Sequence, residues 1–287
     1  MQPEGLWEPV FVRTLREISL ARFMLNCNRH SLPHKEFLMK KILVPTLIAA
    51  AIGALASVAH AAEPESTLGF NVGVVSDYRY RGISQSRLQP ALQGGVDYAD
   101  KSGFYVGAWG STIKWIKDTA GVTAGSTELD LYGGYKASVG DVAYDVGFLR
   151  YEYAGNKLAD SGIYGNANTN EVYGAVTYGV FTAKYSHAIS NLFGNLNSKN
   201  SYYVDLSATF DLGDGYSLVP HVGYQKVKNA DIATYTDYAL TLGKDLGNGL
   251  SATGALVTTD ADKTNYVTPS GKFTGKSSLV VGLKYSF

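Results

Sequence analysis

The chain has 287 residues, with 25 basic and 25 acidic side chains, one cysteine, 21 tyrosines and 32 glycines. An even charge balance argues against a nucleic-acid-binding protein, which presents a strongly basic face. One cysteine excludes a disulfide-stapled scaffold.

In chain order, residues 1–38 carry Arg13, Arg16, Arg22 and Arg29 with no helix or strand pattern. They are expected to be a mis-assigned extension in front of the true start, Met39, or an unusually long n-region. Met39-Lys40-Lys41 is a short basic start, and residues 42–56 are apolar apart from Thr46. Ala59-His60-Ala61 then fits the small-x-small cleavage rule. The run is too short for a membrane span, so residues 39–61 are expected to be a secretory signal peptide cleaved near Ala61. Its removal would take away Cys27 and leave 18 basic and 21 acidic residues, a net charge of −3. With no other long apolar run, a membrane location for residues 62–287 requires a closed barrel.

Residues 62–287 divide into segments of alternating polarity, the period-2 pattern of strands. We expect strands over 67–76, 90–99, 104–114, 127–138, 142–153, 169–179, 181–190, 201–211, 216–227, 235–245, 250–259 and 277–287. Tight links rich in Gly, Asp and Asn fall at 100–103, 139–141, 179–180, 212–215 and 247–249, as tight turns require. Longer links fall at 77–89, 115–126, 154–168, 191–200, 228–234 and 260–276. Short and long links in alternation predict an all-β, up-and-down, antiparallel transmembrane barrel of about 12 strands, with periplasmic turns and longer outer loops.

The faces fit. Leu129, Leu131, Gly133, Tyr135 and Ala137 oppose Glu128, Asp130, Tyr132, Gly134 and Lys136; Tyr202, Val204, Leu206, Ala208 and Phe210 oppose Tyr203, Asp205, Ser207, Thr209 and Asp211. The apolar sets are assigned outward and the polar sets inward. Arg150 and Glu152 fall on the apolar parity, which places them beyond the hydrocarbon or after a bulge; the first is preferred. The last strand alternates Leu279, Val281, Leu283, Tyr285 and Phe287. An aromatic at the final position with another two residues earlier resembles the assembly signal of outer-membrane barrels, so Tyr285 and Phe287 are expected to engage the barrel-assembly machinery.

Residues 76–86 (SDYRYRGISQS), 90–95 (PALQGG), 103–107 (GFYVG) and 128–135 (ELDLYGGY) resemble the TorF family of bacterial outer-membrane porins. The resemblance spans essentially all of residues 62–287. It implies a Gram-negative outer-membrane barrel with a transport role, and it brings no established substrate and no catalytic residues.

Two groups of residues bear on transport. The first long loop carries Arg79, Arg81 and Arg87, whose planar donors suit carboxylates and phosphates. They read either as an anion-attracting selectivity element at the barrel mouth or as pairs to lipopolysaccharide phosphates and loop acids such as Asp77. The inward parity gathers Asn71, Asp97, Asp130, Lys136, Asp145, Glu171, Lys184, Asp205, His221, Asp237 and Lys284. This is either a mixed-charge pore wall, leaning towards cations, or a neutralised network that plugs the lumen.

Of His187 and His221, the first is expected at the interface and the second in the lumen. Neither has metal-ligand spacing, and there is no G-x-S-x-G motif. No catalytic residue, metal or cofactor is expected. Tyr98, Trp109, Trp115, Tyr135, Tyr178, Tyr238 and Tyr285 are expected to form the aromatic girdle. Tyr132, Tyr151, Tyr173 and Tyr203 point inward, where a sugar-stacking track is an alternative. The expected function is a diffusive porin for small hydrophilic solutes, in contact with outer-membrane lipid and lipopolysaccharide. A lipid- or lipopolysaccharide-modifying enzyme and a closed structural barrel with surface-interaction loops are the alternatives.

Overall fold

The computed structural model describes residues 66–287. The expected extension, signal peptide and cleavage site lie outside the described residues. The alternating segments form β1 (Thr67–Val75), β2 (Arg79–Tyr80), β3 (Ile83–Ser84), β4 (Ala91–Ala99), β5 (Phe104–Thr112), β6 (Thr127–Val139), β7 (Val142–Ala154) and β8 (Thr169–Tyr178). They continue as β9 (Phe181–Ala188), β10 (Tyr202–Ala208), β11 (Phe210–Gly213), β12 (Tyr216–Lys226), β13 (Tyr235–Gly247), β14 (Leu250–Thr259) and β15 (Ser278–Ser286). β10 and β11 act as one wall strand, because Leu206 pairs with Val222 and Phe210 with Leu218 of β12 in one register.

Each wall strand pairs antiparallel with the next in sequence, and β1 pairs with β15 as well as β4. The sheet therefore closes into a twelve-stranded antiparallel barrel with no open edge. β2 and β3 form a separate small hairpin within the first long loop. Two single-turn 3-10 helices, Leu158–Ser161 and Asp231–Ala233, lie in other long loops.

Leu68, Phe70, Val72 and Val74 on β1, Val146 and Phe148 on β7, and Leu279, Val281 and Leu283 on β15 are all exposed. So much apolar surface around a closed wall is the form a strand protein takes in a bilayer. Arg150 pairs with Leu131 and Glu152 with Leu129 in an unbroken register, so no bulge intervenes. The outward face simply becomes polar there, near the long-loop end, and Arg150 bonds Glu152 and Asn170.

At the turn end, Asp100 accepts hydrogen bonds from the hydroxyl and backbone N–H of Ser102 and from Ser66. These bonds hold its pKa down to about 2. A depressed carboxyl stabilises the turn at neutral pH, and this contribution fades as pH falls towards about 2.

The barrel seam joins β1 to β15, with Val72 opposite Tyr285 and Val74 opposite Leu283. Phe287 extends it: Phe70 N–H donates to Phe287 O (2.8 Å), Phe287 N–H donates to Phe70 O (3.0 Å), and the rings stack at 5.8 Å. Deleting Phe287 removes both bonds and the stack, a loss on the order of 2 kcal/mol at the closing seam. We expect a smaller heat-modifiable (folded) fraction on unheated gels of outer-membrane extracts; an unchanged fraction would contradict a role for this residue in closure.

Candidate functional site in the barrel lumen

The site is built by a loop that turns inward. Tyr80-Arg81-Gly82-Ile83 is a two-residue hairpin with φ of 46° at Arg81 and 79° at Gly82, the left-handed pair that tight hairpins favour. Gly82 lies against the wall: a Cβ there would fall 2.4 Å from Thr259 Cγ2 and 2.7 Å from Asp237 Cβ. Only glycine lets the hairpin tip come this close. Arg81, beside it, adopts a backbone conformation that costs a non-glycine residue energy, so its surroundings must hold it there.

Those surroundings are the far wall. Arg81 donates from Nη2 to both carboxylate oxygens of Glu171 on β8 (2.8 and 3.0 Å) and from Nη1 to Gln225 Oε1 on β12 (2.5 Å). Its guanidinium lies 4.3 Å from the Tyr203 ring centre and 4.9 Å from that of Tyr80. Arg79 fastens the near side. Its Nε donates to Asp77 (2.6 Å), Nη1 to Gly82 O (2.9 Å) and Lys276 O (3.2 Å), and Nη2 to Ser278 Oγ (2.9 Å). Asp77 also accepts from Ser84 and Ser86. Both arginines are buried, so burial is compatible with charge only through these partners.

The loop-end half of the lumen is packed. Tyr78, Ile113, Ile116, Tyr151, Tyr153 and Leu158 form a buried cluster, with Tyr80, Trp109 and Trp115 against it. Tyr78 donates to Glu128 Oε1 (3.0 Å), Tyr80 bonds Tyr151, and Tyr151 donates to Glu171 (3.1 Å). Trp109 packs on Tyr78 and Trp115 on Tyr153. The expectation that Trp109 and Trp115 belong to the lipid girdle is therefore corrected. Trp109 pairs with inward Asp130 in the register, and both rings serve the internal core. Tyr98, Tyr135, Tyr178, Tyr238 and Tyr285 do lie exposed on the outer wall.

The turn-end half is different. Asn71, Asp97, Lys136, Lys184, Asp205, His221 and Lys284 are only partly buried. Register sets Lys136 beside Asp145 and Lys184 beside Asp205. Lys136 Nζ lies 4.5 Å from the Tyr105 ring centre and Lys184 Nζ 4.3 Å from that of Tyr173. Tyr105 donates to Asp145 (2.6 Å) and bonds Tyr173; Tyr132 donates to Asp97 (2.5 Å). The rings lie over glycines: a Cβ at Gly223 would fall 1.9 Å from the Tyr203 hydroxyl. This is a partly buried vestibule of alternating charge, roofed by the inserted loop.

His221 and Asp237 belong to this wall. His221 Nε2 lies 2.9 Å from Asp205 and 3.2 Å from the Tyr203 hydroxyl, its Nδ1 lies 3.6 Å from Asp237, and Tyr203 donates to Asp237 (2.9 Å). His187 lies outside, between Tyr185 and Asn200. Among the described residues neither histidine hydrogen-bonds a serine. Of the sequence-predicted set, Arg87 stands apart: it is on the surface, paired with Asp118, and reaches no lumen residue. Asp130 is buried in the packed half, where neither carboxylate oxygen has a hydrogen-bond partner among the described residues. Gln225, Tyr105 and the hairpin itself escaped sequence reasoning.

The family model described as "Bacterial protein of unknown function (Gcw_chp)" matches residues 59–287. The chain belongs to this family. Among curated proteins, none matches. Solved structures to which this Gcw_chp barrel is similar, at low identity, include the following. "KdgM porin in complex with disordered oligogalacturonate" shares 9% identity, covers 77% of this chain and 99% of its own, and has a TM-score of 0.49. The NanC porin shares 11%, with 77% and 99% coverage and a TM-score of 0.47. The COG4313 outer membrane channel from Pseudomonas putida F1 shares 12%, with 78% and 96% coverage and a TM-score of 0.43.

The Arg81–Glu171 pair in this Gcw_chp barrel is buried on both sides. Glu171→Ala should lower stability by about 3–5 kcal/mol, because it strands a buried cation. The urea midpoint of gel-mobility unfolding in detergent measures this; a loss under about 1 kcal/mol, the range of exposed pairs, would mean that Arg81 is not held as described.

Proposed function

We propose that this protein is an outer-membrane channel for small hydrophilic solutes, with the first outer loop as its constriction and the Lys–Asp–Tyr wall as its inner vestibule. The observation that carries this is the hairpin tip: Arg81 meets β8 and β12 while Gly82 meets β13 and β14. A loop that crosses the lumen and is fixed at the far wall sets the width available to a solute, and nearby charge sets which ions pass. The TorF resemblance implies the same role. Export by the leader, and insertion through the barrel-assembly machinery guided by Tyr285 and Phe287, belong to this reading.

Charge pairing makes the channel weakly selective. Arg79 is neutralised by Asp77 and Arg81 by Glu171, while Lys136, Asp145, Lys184 and Asp205 alternate. The loop arginines therefore act as fasteners as well as charges. The packed cluster around Ile113, Ile116 and Leu158 favours a second reading, a closed barrel whose loops meet other surfaces. An enzyme reading has no assembled histidine–serine pair to rest on among the described residues.

Planar-bilayer recording of the refolded barrel separates these. Discrete openings are expected, and a silent, folded barrel would contradict the channel. The double substitution Arg79→Ala and Arg81→Ala bares Asp77 and Glu171, so the reversal potential in a salt gradient should move in the cation-selective direction and conductance should rise. No change in either would remove the loop from the conduction path.

A further inference from the structure

We infer that a basic cavity on the outer wall binds a phosphate group of an outer-leaflet lipopolysaccharide. The cavity, about 440 Å³, is lined by Arg87, Lys114 and Lys117 together with Thr112, Ile113, Ser126 and Thr127. It rests on the outer-membrane location of the barrel and not on the channel reading.

Its height follows from the register. Thr112 and Thr127 are cross-strand partners that close β5 and β6 at the long-loop end. Thr127 shares the face of Leu129 and Leu131, which are exposed outward. On the neighbouring strand, Leu131 pairs with Arg150, Leu129 with Glu152 and Thr127 with Ala154. The outward face thus turns polar at Arg150, and Thr127 lies beyond Glu152. The cavity is therefore at head-group height, one step further out than the polar row of Arg150 and Glu152. An occupant must carry an anion above and acyl chains below.

The charge fits that occupant. Arg87 is paired with Asp118. Lys114 Nζ donates to Gln89 Oε1 (2.8 Å), a neutral amide, and Lys117 is exposed. Among the described residues no carboxylate pairs with either lysine, so the cavity keeps two uncompensated cations beside three hydroxyl-bearing residues. A tetrahedral phosphate, with several acceptor oxygens, uses both. The long loops face outward in such barrels, which makes the phosphorylated lipid that of the outer leaflet.

The test uses the refolded barrel in neutral detergent, titrated with bisphosphorylated lipid A, with enzymatically dephosphorylated lipid A and with inorganic phosphate. Lys114→Gln/Lys117→Gln is the variant, since both side chains lie at the surface, and its heat-modifiable mobility reports folding. Two head-group lysines should be worth about thirtyfold in affinity for bisphosphorylated lipid A, with a similar loss when the phosphates are removed. Equal affinity of variant and parent, or of the two lipids, overturns the inference. Inorganic phosphate binding as tightly as lipid A overturns the lipid assignment. Normal conductance in a variant that has lost lipid A binding supports the inference and leaves the channel reading intact, whereas silence of the parent in bilayers counts only against the channel.

Discussion

The structure depends on one ion pair across an enclosed space. Arg81 of the first outer loop meets Glu171 of β8, and its Nη1 donates to Gln225 of β12. A guanidinium inside a barrel that cannot be solvated must be neutralised by a partner or stay outside. Because the partners sit on the wall away from the loop's own strands, the loop has to cross the lumen. Its left-handed Arg81-Gly82 turn, the approach of Gly82 to β13 and β14, and the second fastening by Arg79 then work together. So does the aromatic packing of Tyr78 and Tyr80.

This constraint divides the lumen into two chemistries. Above the hairpin, the loops build an ordinary hydrophobic core inside the barrel, with tyrosine hydroxyls directed at Glu128 and Glu171. Below it, lysines stack on tyrosine rings and carboxylates accept from tyrosine hydroxyls. Glycines such as Gly223 make room for those rings on the inner wall. The arginines contribute little net field, because each has an acidic partner.

Much of the barrel was legible in the chain. Period-2 alternation is dictated by strand geometry, and a one-residue slip would invert every face, so the wall strands and the inward set of Asp97, Lys136, Lys184 and Asp205 could be read directly. The loops obey no such period. The short hairpin was nonetheless signalled by Tyr-Arg-Gly-Ile, a glycine-bearing two-residue turn between residues that favour strands. The partners of Arg81 were not, since nothing local ties residue 81 to residues 171 and 225. Trp109 and Trp115 were misplaced because tryptophan near a strand end reads equally as interface anchor or core, and only the register pairing Trp109 with Asp130 decides. Arg87 fell in the same loop as Arg79 and Arg81, but beyond the hairpin the chain has already returned to the surface.

The central claim is that the hairpin, held at the far wall, sets the bore. Replacing residues 79–84 by a short Gly-Ser link and recording single-channel conductance in symmetric salt tests it most directly. The account predicts a folded, heat-modifiable barrel with a conductance above the parent's, since the hairpin then no longer crosses the lumen beneath the packed loop residues. A folded barrel with the parent's conductance would show that the restriction lies elsewhere and contradict the account.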